Sequence, residues 1–116
     1  MNIKAFSFGT IRIDGTTYEH DVIIDRGKIS KRKKKPSQKF REEFGHTPIS
    51  LKEDIPWKCR ELIIGTGAYE SLPVMKDVKR EAKERHVKLT VLSTADAIER
   101  LNKAERKTNA ILHVTC

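Results

Sequence analysis

The sequence predicts a single α/β domain in which a β-rich first half is followed by a β-α-β-α-β unit. Residues 3–25 show short alternating runs of apolar and polar residues broken at glycines, which is typical of strands joined by tight turns. The second half alternates short apolar runs with segments whose apolar residues recur every three or four positions, which favours strands joined by helices. The length of 116 residues fits one hydrophobic core, so residues 1–116 are treated as one domain.

The opening segment is predicted to form antiparallel strands. Residues 3–8 form the first, and residues 10–13 form the second, which alternates at period two. Gly15 follows an aspartate, and this pair favours a tight hairpin turn because glycine accepts a positive φ angle. Residues 18–25 are the expected return strand.

The middle of the chain is predicted to be mostly irregular. Residues 28–41 form a basic segment that contains Pro36, so no regular helix is expected there. Farther on, Ser50 and Glu53 have the spacing of a capping box, which predicts a short helix that Pro56 ends.

The second half is predicted to contain three strands and two helices. Short apolar runs place the strands at residues 62–64, 87–92 and 110–114. The first helix is expected over residues 72–86, with Ser71 as its N-cap. The second is expected to begin after Ser93, where Asp96 completes the cap, and to end at Thr108.

The net charge of +8 comes from one segment. Residues 28–41 contain eight basic and no acidic residues, while basic and acidic residues balance elsewhere at 16 each. Such a segment favours an anionic partner, which is nucleic acid, a phosphorylated ligand or an acidic protein. The alternative is a solvated loop whose charge only aids solubility, and the sequence does not say whether the segment is ordered. The candidate partner- or polyanion-binding residues are Lys31, Arg32, Lys33, Lys34 and Lys35.

Composition excludes several classes of protein. The chain has no apolar window long enough for a membrane span and no apolar core of a signal peptide, so we expect a cytoplasmic protein without membrane contact. Cys59 and Cys116 are far apart and the four histidines show no ligand spacing, so neither a metal site nor a cofactor is predicted. One glutamine and three asparagines among abundant lysine, arginine and glutamate resemble the composition of thermophile proteins.

A glycine-containing turn is the strongest candidate for a binding site. It follows a strand predicted to be buried and precedes a helix, which is where open α/β sheets bind ligands. Glycines let the backbone approach a ligand, and free N–H groups near a helix N-terminus attract anions. The alternative is a turn that only requires glycine geometry, since Glu70 stands where a dinucleotide-binding motif needs its third glycine. The candidate anion site consists of Gly65, Thr66, Gly67 and Ser71.

No catalytic residues are predicted, because the spacing shows no recognisable pair of nucleophile and base. His46 lies in a loop beside Gly45 and Pro48. It is treated as a residue of a candidate site loop, with a solvated loop histidine as the alternative.

Five short fragments are spread in a fixed order over nearly the whole length of the chain: Phe6-Ser7-Phe8-Gly9, His46-Thr47-Pro48, residues 62–67, residues 91–94 and His113-Val114-Thr115-Cys116. Together they resemble the Mth-domain family, which includes an adipogenesis-associated protein and an assembly factor of mitochondrial respiratory complex I. The resemblance implies a three-layer α/β fold with a mixed central sheet of about five strands, the last antiparallel to the rest. It implies no catalytic residues.

Three functions are therefore considered. The first is a protein-interaction or assembly module with an unknown protein partner, because no catalytic residues are recognisable and the family includes an assembly factor. The alternative is a binder of a small anionic ligand, or an enzyme of unknown reaction, that uses the turn at Gly65. The second alternative is salt-sensitive binding of nucleic acid through residues 28–41.

Overall fold

The computed structural model describes residues 1–104 and 107–116, whose strands form two sheets. The first is antiparallel, in the order β1 (Ile3–Ser7), β2 (Thr10–Ile13) and β3 (Thr16–Tyr18). The second has the order β5-β4-β8-β6-β7 and consists of β4 (Val22–Asp25), β5 (Lys28–Lys31), β6 (Glu61–Gly65), β7 (Lys88–Leu92) and β8 (Thr108–Leu112). The helices are a 3-10 helix (Lys35–Phe40), α1 (Arg41–Phe44), α2 (Lys76–Glu84) and α3 (Thr94–Asn102).

Apolar clusters cover both faces of the five-stranded sheet, so the molecule has the three layers that were expected. Successive side chains of a strand point to opposite faces. Leu62 and Ile64 of β6 therefore pack in the cluster that includes Val78 of α2. Ile63 packs on the other face, in the cluster that includes Ile98 of α3 and the residues of β1 and β2. The predicted three-layer α/β fold is confirmed.

The second half forms the predicted β-α-β-α-β unit, in which β6 pairs in parallel with both β7 and β8. β4 pairs antiparallel with β8 and with β5, which makes the sheet mixed. The expectation that the last strand runs antiparallel to the rest is wrong for β8. Because α3 carries the chain back along the sheet, β8 begins at the same edge as β6 and β7 and runs in their direction.

The predicted return strand is divided between the two sheets. β3 pairs with β2, whereas β4 joins the five-stranded sheet. The chain changes sheets at residues 19–21. Asp21 is buried at this point and bonded to His113 and Val114, which directly follow β8, and these distant contacts fix the division.

α2 begins at Lys76 rather than near residue 72, and Ser71 is not its cap. Met75 occupies the N-cap position without a side-chain cap bond. The residues before it are extended because Val74 forms a bridge with Ile49, with Met75 N–H donating to the Ile49 carbonyl at 3.0 Å.

The two predicted capping motifs have different outcomes. At α3 the Asp96 N–H donates to Ser93 Oγ at 3.2 Å, so that cap is confirmed. At Ser50 the N–H donates to Glu53 Oε2 at 3.4 Å, as in a capping box, but a turn and no helix follows. The Glu53 carboxylate also binds an arginine across the fold, described below. α3 ends at Asn102, and the predicted continuation toward Thr108 crosses residues 105–106, which lie outside the described residues.

The two longer helices, α2 and α3, have nine residues each. A membrane-spanning helix needs about 20 residues. In the part of the chain that the structure describes, no helix is long and apolar enough to cross a bilayer.

Candidate functional site

One edge of the five-stranded sheet brings together five of the predicted site residues: Lys31, Arg32, Gly65, Thr66 and Gly67. We call this the carboxyl edge, and it consists of the residues at the start of β4 and the ends of the other four strands: 21, 31–32, 65–67, 92–94 and 113–116. α2 leads from β6 to β7 on one side, while β8 lies on the other side of β6. The connections from neighbouring strands therefore leave in opposite directions at the end of β6. Open α/β sheets commonly bind ligands at such a point.

Arg32 is the centre of a buried polar network at this edge. Its guanidinium lies 2.8 and 3.0 Å from the two carboxylate oxygens of Glu53 and 2.9 Å from Asp21 Oδ2. It also donates to the Pro48 carbonyl at 3.1 Å. Burial alone would lower the pKa of Arg32, but the two carboxylates raise it, so the guanidinium stays charged. Its side chain is only 1% exposed, so its charge is compensated inside the protein.

Two buried serines extend the network under the basic segment. Ser37 Oγ donates to Glu53 Oε2 at 2.5 Å, and it lies 2.6 Å from Ser50 Oγ. Because Ser37 uses its proton toward Glu53, Ser50 donates to Ser37. Residues 28–41 are therefore attached to the fold from beneath, through β5, Arg32 and Ser37.

The prediction that Arg32 is a surface residue for a polyanion is corrected by its burial. Its guanidinium faces inward and is occupied by Asp21 and Glu53. The other four candidates of the basic segment are exposed: Lys31, Lys33, Lys34 and Lys35.

Asp21 also joins the network to the end of β8. Its Oδ2 lies 2.8 Å from His113 Nδ1, and its Oδ1 accepts the Val114 N–H at 2.9 Å. On the other side of the imidazole, His113 Nε2 lies 3.1 Å from Thr115 Oγ1. Asp21 and His113 are buried, whereas Thr115 is partly exposed. A carboxylate, an imidazole and the hydroxyl of a partly exposed threonine are thus hydrogen-bonded in series.

The pKa of Asp21 leads to a prediction about acid stability. Burial alone would raise this pKa, but the bonds from His113 and Val114 and the charge of Arg32 lower it from 3.8 to about 2. A carboxyl whose pKa falls on folding stabilises the protein above its ordinary pKa, and this contribution is lost as the pH falls toward 2. We expect Asp21 to account for a loss of about 2 kcal/mol between pH 5 and pH 2.

Urea unfolding at a series of pH values measures this contribution, with Asp21→Asn as the control that cannot titrate. The wild-type free energy of unfolding should fall more steeply with acid than that of the variant, and the gap between them should narrow below pH 4. Parallel profiles of the two proteins would contradict the low pKa of Asp21.

The N–H groups of the glycine turn are bound within the chain. From residue 66 to residue 72, all of which the structure describes, every backbone N–H has an acceptor. Ala68 donates to the Thr115 carbonyl at 2.7 Å, and Tyr69 and Ser71 donate to the Cys116 carbonyl at 3.0 and 3.1 Å. Anion binding at Gly65, Thr66, Gly67 and Ser71 stays a prediction, and it requires an anion that displaces these carbonyl oxygens.

Both glycines of the turn allow a close approach by other parts of the chain. A Cβ on Gly65 would lie 2.9 Å from Thr94 Oγ1, which is fixed because it accepts the Gly67 N–H and donates to the His113 carbonyl. A Cβ on Gly67, whose φ is +104°, would lie 2.1 Å from the carbonyl carbon of Cys116. The turn therefore needs glycine to hold residues 113–116 against β6 and α3.

His46 is half-buried in its loop, and its ring makes no hydrogen bond with the residues that the structure describes. The loop contributes backbone groups instead. The carbonyl oxygens of Thr47 and Pro48 lie 3.4 and 3.1 Å from Arg32 Nη2.

An exposed aromatic pair lies beside the end of β8. The ring centroids of Phe8 and Tyr69 are 6.2 Å apart, and the two residues are 59% and 74% exposed. Gly9 N–H donates to the Val114 carbonyl at 2.6 Å, and Tyr69 N–H donates to Cys116. The pair is therefore held by two loops that both bind the segment after β8.

A groove of about 700 Å³ lies at the opposite edge, between α3 and the starts of β6, β7 and β8. Glu61 in this groove accepts a bond from Arg100 at 2.9 Å, so its charge is already paired. The groove is lined by both acidic and basic side chains and does not favour an anionic ligand.

Sequence reasoning missed the Asp21–His113–Thr115 series. His113 and Thr115 are two residues apart at the end of a strand, and that spacing places both side chains on one face. Asp21 directly precedes an apolar run, which is a signal for a buried carboxylate at a strand start. His113 had been considered only as a metal ligand, on the spacing of the four histidines. Within residues 1–104 and 107–116 the structure contains no group of three potential metal ligands.

The fold and this edge define a class of small three-layer α/β proteins with a mixed five-stranded sheet and a buried polar network at its carboxyl edge. Residues 3–113 match the family described as "Protein of unknown function (DUF498/DUF598)", and the chain belongs to this family. Among curated proteins, none is significantly similar to the chain.

Solved structures share the fold. The conserved hypothetical protein PH1505 from Pyrococcus horikoshii OT3 is similar with a TM-score of 0.79 and 27% identity, over 100% of both chains. The protein described as MT938 is similar with a TM-score of 0.73 and 25% identity, over 99% of this chain and 98% of that one. An outer membrane protein from Bartonella henselae shares the fold alone, at 17% identity and a TM-score of 0.65, over 98% and 94% of the chains.

Proposed function

We propose that this protein is a protein-interaction module that binds an acidic segment of a partner protein at its carboxyl edge. The single observation that carries the proposal is the exposed pair of Phe8 and Tyr69. Aromatic residues are enriched at protein interfaces, where they account for much of the binding energy. The backbone beside Phe8 and at Tyr69 is anchored by hydrogen bonds to residues 114 and 116, so little backbone ordering is required on binding.

The chemistry of the partner follows from the charges at the same edge. β5 ends at this edge with the exposed Lys31, and three further exposed lysines follow it: Lys33, Lys34 and Lys35. β5 and β8 are separated only by β4, so their ends lie about 10 Å apart. We propose that an extended segment laid across these strand ends contacts the lysines beside β5 and the aromatic pair beside the end of β8. The best fit is a segment with carboxylates and at least one large apolar side chain.

The resemblance to the Mth-domain family supports the same function, because that family includes an assembly factor. Nucleic acid is the competing partner, since the same lysines would bind phosphates. Binding of nucleic acid does not account for the exposed aromatic pair. Proteins that bind single strands stack successive bases on several aromatic side chains, and few aromatic residues lie beside these lysines.

A peptide-display selection tests the proposal. We expect the wild-type protein to enrich acidic peptides that carry large apolar residues. The double variant Phe8→Ser/Tyr69→Ser should bind the selected peptides at least about tenfold more weakly, since loss of an interface aromatic commonly costs more than 1 kcal/mol. Val91→Ser is the matched control, because it removes an exposed apolar side chain from β7 and leaves the pair intact.

Two outcomes would overturn the proposal. One is equal peptide affinity of the wild type and the double variant. The other is selection of no acidic peptide, together with binding of duplex DNA that both proteins share and that salt abolishes, which would favour the nucleic-acid alternative.

A further inference from the structure

The series of Asp21, His113 and Thr115 has the arrangement of an activated hydroxyl nucleophile. In such sites the nucleophile is hydrogen-bonded to a base, and a third group orients the base. Here the distances are 3.1 Å between Thr115 Oγ1 and His113 Nε2 and 2.8 Å between His113 Nδ1 and Asp21 Oδ2. The carboxylate is itself held by the Val114 N–H and by Arg32. The base is therefore fixed from behind, while the residue that carries the hydroxyl is partly exposed.

The hydrogen bonds assign the proton positions in the neutral imidazole. Asp21 is ionised, so the His113 nitrogen that faces it is the one that carries the proton. His113 Nε2 then has a free electron pair and accepts from the Thr115 hydroxyl. This is the tautomer that a general base needs.

Donors for a developing oxyanion lie next to the hydroxyl. In the described part of the chain, the N–H groups of Thr115 and Cys116 make no hydrogen bond, whereas the two preceding N–H groups are bonded to Gly65 and Asp21. Oxyanion sites of acyl-transfer enzymes commonly use the N–H of the nucleophile or that of the following residue. The Thr115 N–H shares a peptide unit with the Val114 carbonyl, which accepts from Gly9, and the Cys116 N–H shares one with the Thr115 carbonyl, which accepts from Ala68. Both donors therefore have a fixed orientation.

We propose that Thr115 is an acyl-accepting nucleophile, with His113 as its general base and Asp21 as the residue that positions the base. The substrate class is an activated carboxylic ester or thioester with an apolar acyl group. A good leaving group is required because Arg32 shares the oxygen of Asp21 and reduces the stabilisation of a protonated His113. The apolar acyl group is favoured by Phe8 and Tyr69, which flank the segment after β8.

The reaction has two balanced steps. In the first, Thr115 Oγ1 bonds to the acyl carbon while its proton passes to His113 Nε2; the bond to the leaving oxygen or sulfur breaks, and that atom takes the proton from His113. In the second, water attacks the acyl-threonine and gives a proton to His113. The bond between the acyl carbon and Oγ1 breaks, Oγ1 takes the proton back, and a carboxylic acid is released.

Labelling with an alkyl fluorophosphonate tests the nucleophile, with Cys116→Ala as the background so that the thiol does not react. Peptide mapping by mass spectrometry should place one phosphonyl adduct on Thr115. Thr115→Ser should keep the adduct and Thr115→Val should lose it. His113→Gln should slow labelling about a hundredfold, which is the usual contribution of a general base. His86→Gln is the matched control, because His86 is exposed and belongs to no candidate site, and it should label at the rate of the Cys116→Ala background.

Asp21 is tested by hydrolysis of a p-nitrophenyl ester. Asp21→Asn should lower kcat and leave KM unchanged, because the substrate does not touch Asp21. Thermal unfolding establishes that each variant is folded. If His113→Gln does not fold, the two Thr115 variants are sufficient to test the nucleophile. The proposal is overturned if Thr115 of the Cys116→Ala background acquires no adduct, if Thr115→Val reacts at the same rate as that background, or if folded His113→Gln does.

Discussion

Arg32→Ala is expected to lower the free energy of unfolding by about 3–5 kcal/mol, which is a large part of the stability of a small domain. The reason is that two buried carboxylates, Asp21 and Glu53, lose the charge that compensates them. The Asp21 carboxylate would still accept hydrogen bonds from His113 and Val114. The Glu53 carboxylate would keep only the hydroxyl of Ser37 and a longer bond from the Ser50 N–H, at 3.4 Å. Urea unfolding at neutral pH measures the change.

The neighbouring residue Lys33 gives a matched control, because it lies in the same basic run but is exposed. Lys33→Ala should change the free energy of unfolding by no more than about 0.5 kcal/mol. Arg32→Lys should fall between the two, since an ammonium cannot contact both carboxylates with the geometry of a guanidinium. Equal effects of Arg32→Ala and Lys33→Ala would show that Arg32 is not the centre of the network.

Gly67→Ala is expected to cost about 3 kcal/mol. An alanine at a φ of +104° is strained, which costs about 1 kcal/mol. Its Cβ would also lie 2.1 Å from the carbonyl carbon of Cys116, and such overpacking costs a further 1–3 kcal/mol. Because the relief of this clash moves residues 115–116, the variant should also separate Thr115 from His113.

Gly27→Ala separates the two causes. Gly27 has a similar φ of +81°, but a Cβ there would have no atom within 4 Å. Its substitution should therefore cost about 1 kcal/mol, from backbone strain alone. If thermal or urea unfolding gives the same loss for both glycines, the close approach of residues 115–116 to Gly67 is not real.

The elements predicted correctly are those whose signals are local. The apolar run of β6 and the Ser93 cap of α3 depend on residues within a few positions of one another, and both are confirmed. The start of α2 was wrong because a bridge between Val74 and Ile49 keeps the preceding residues extended. A contact across the fold cannot be seen in a periodic pattern.

The predictions about the candidate site also succeeded where the signal was local and failed where it depended on distant residues. The glycine turn was located from its own residues, but its N–H groups were expected to be free, since the sequence does not show that residues 115–116 occupy them. Arg32 was placed on the surface because its run of lysines is exposed, whereas its carboxylate partners lie in other segments. The contact of Asp21 with His113 depends on the register of β4 on β8, which pairs Val22 with Leu112.

The central claim is that the carboxyl edge is the functional surface of this protein. A titration of the ¹⁵N-labelled protein with a synthetic peptide of alternating glutamate and phenylalanine tests it most directly. We predict that the largest amide shift changes occur at Gly9, at Tyr69 and in residues 114–116, and that Phe8→Ser/Tyr69→Ser abolishes them. Changes concentrated at the opposite edge, around Glu61 and Arg100, or no change at saturating peptide, would contradict the claim.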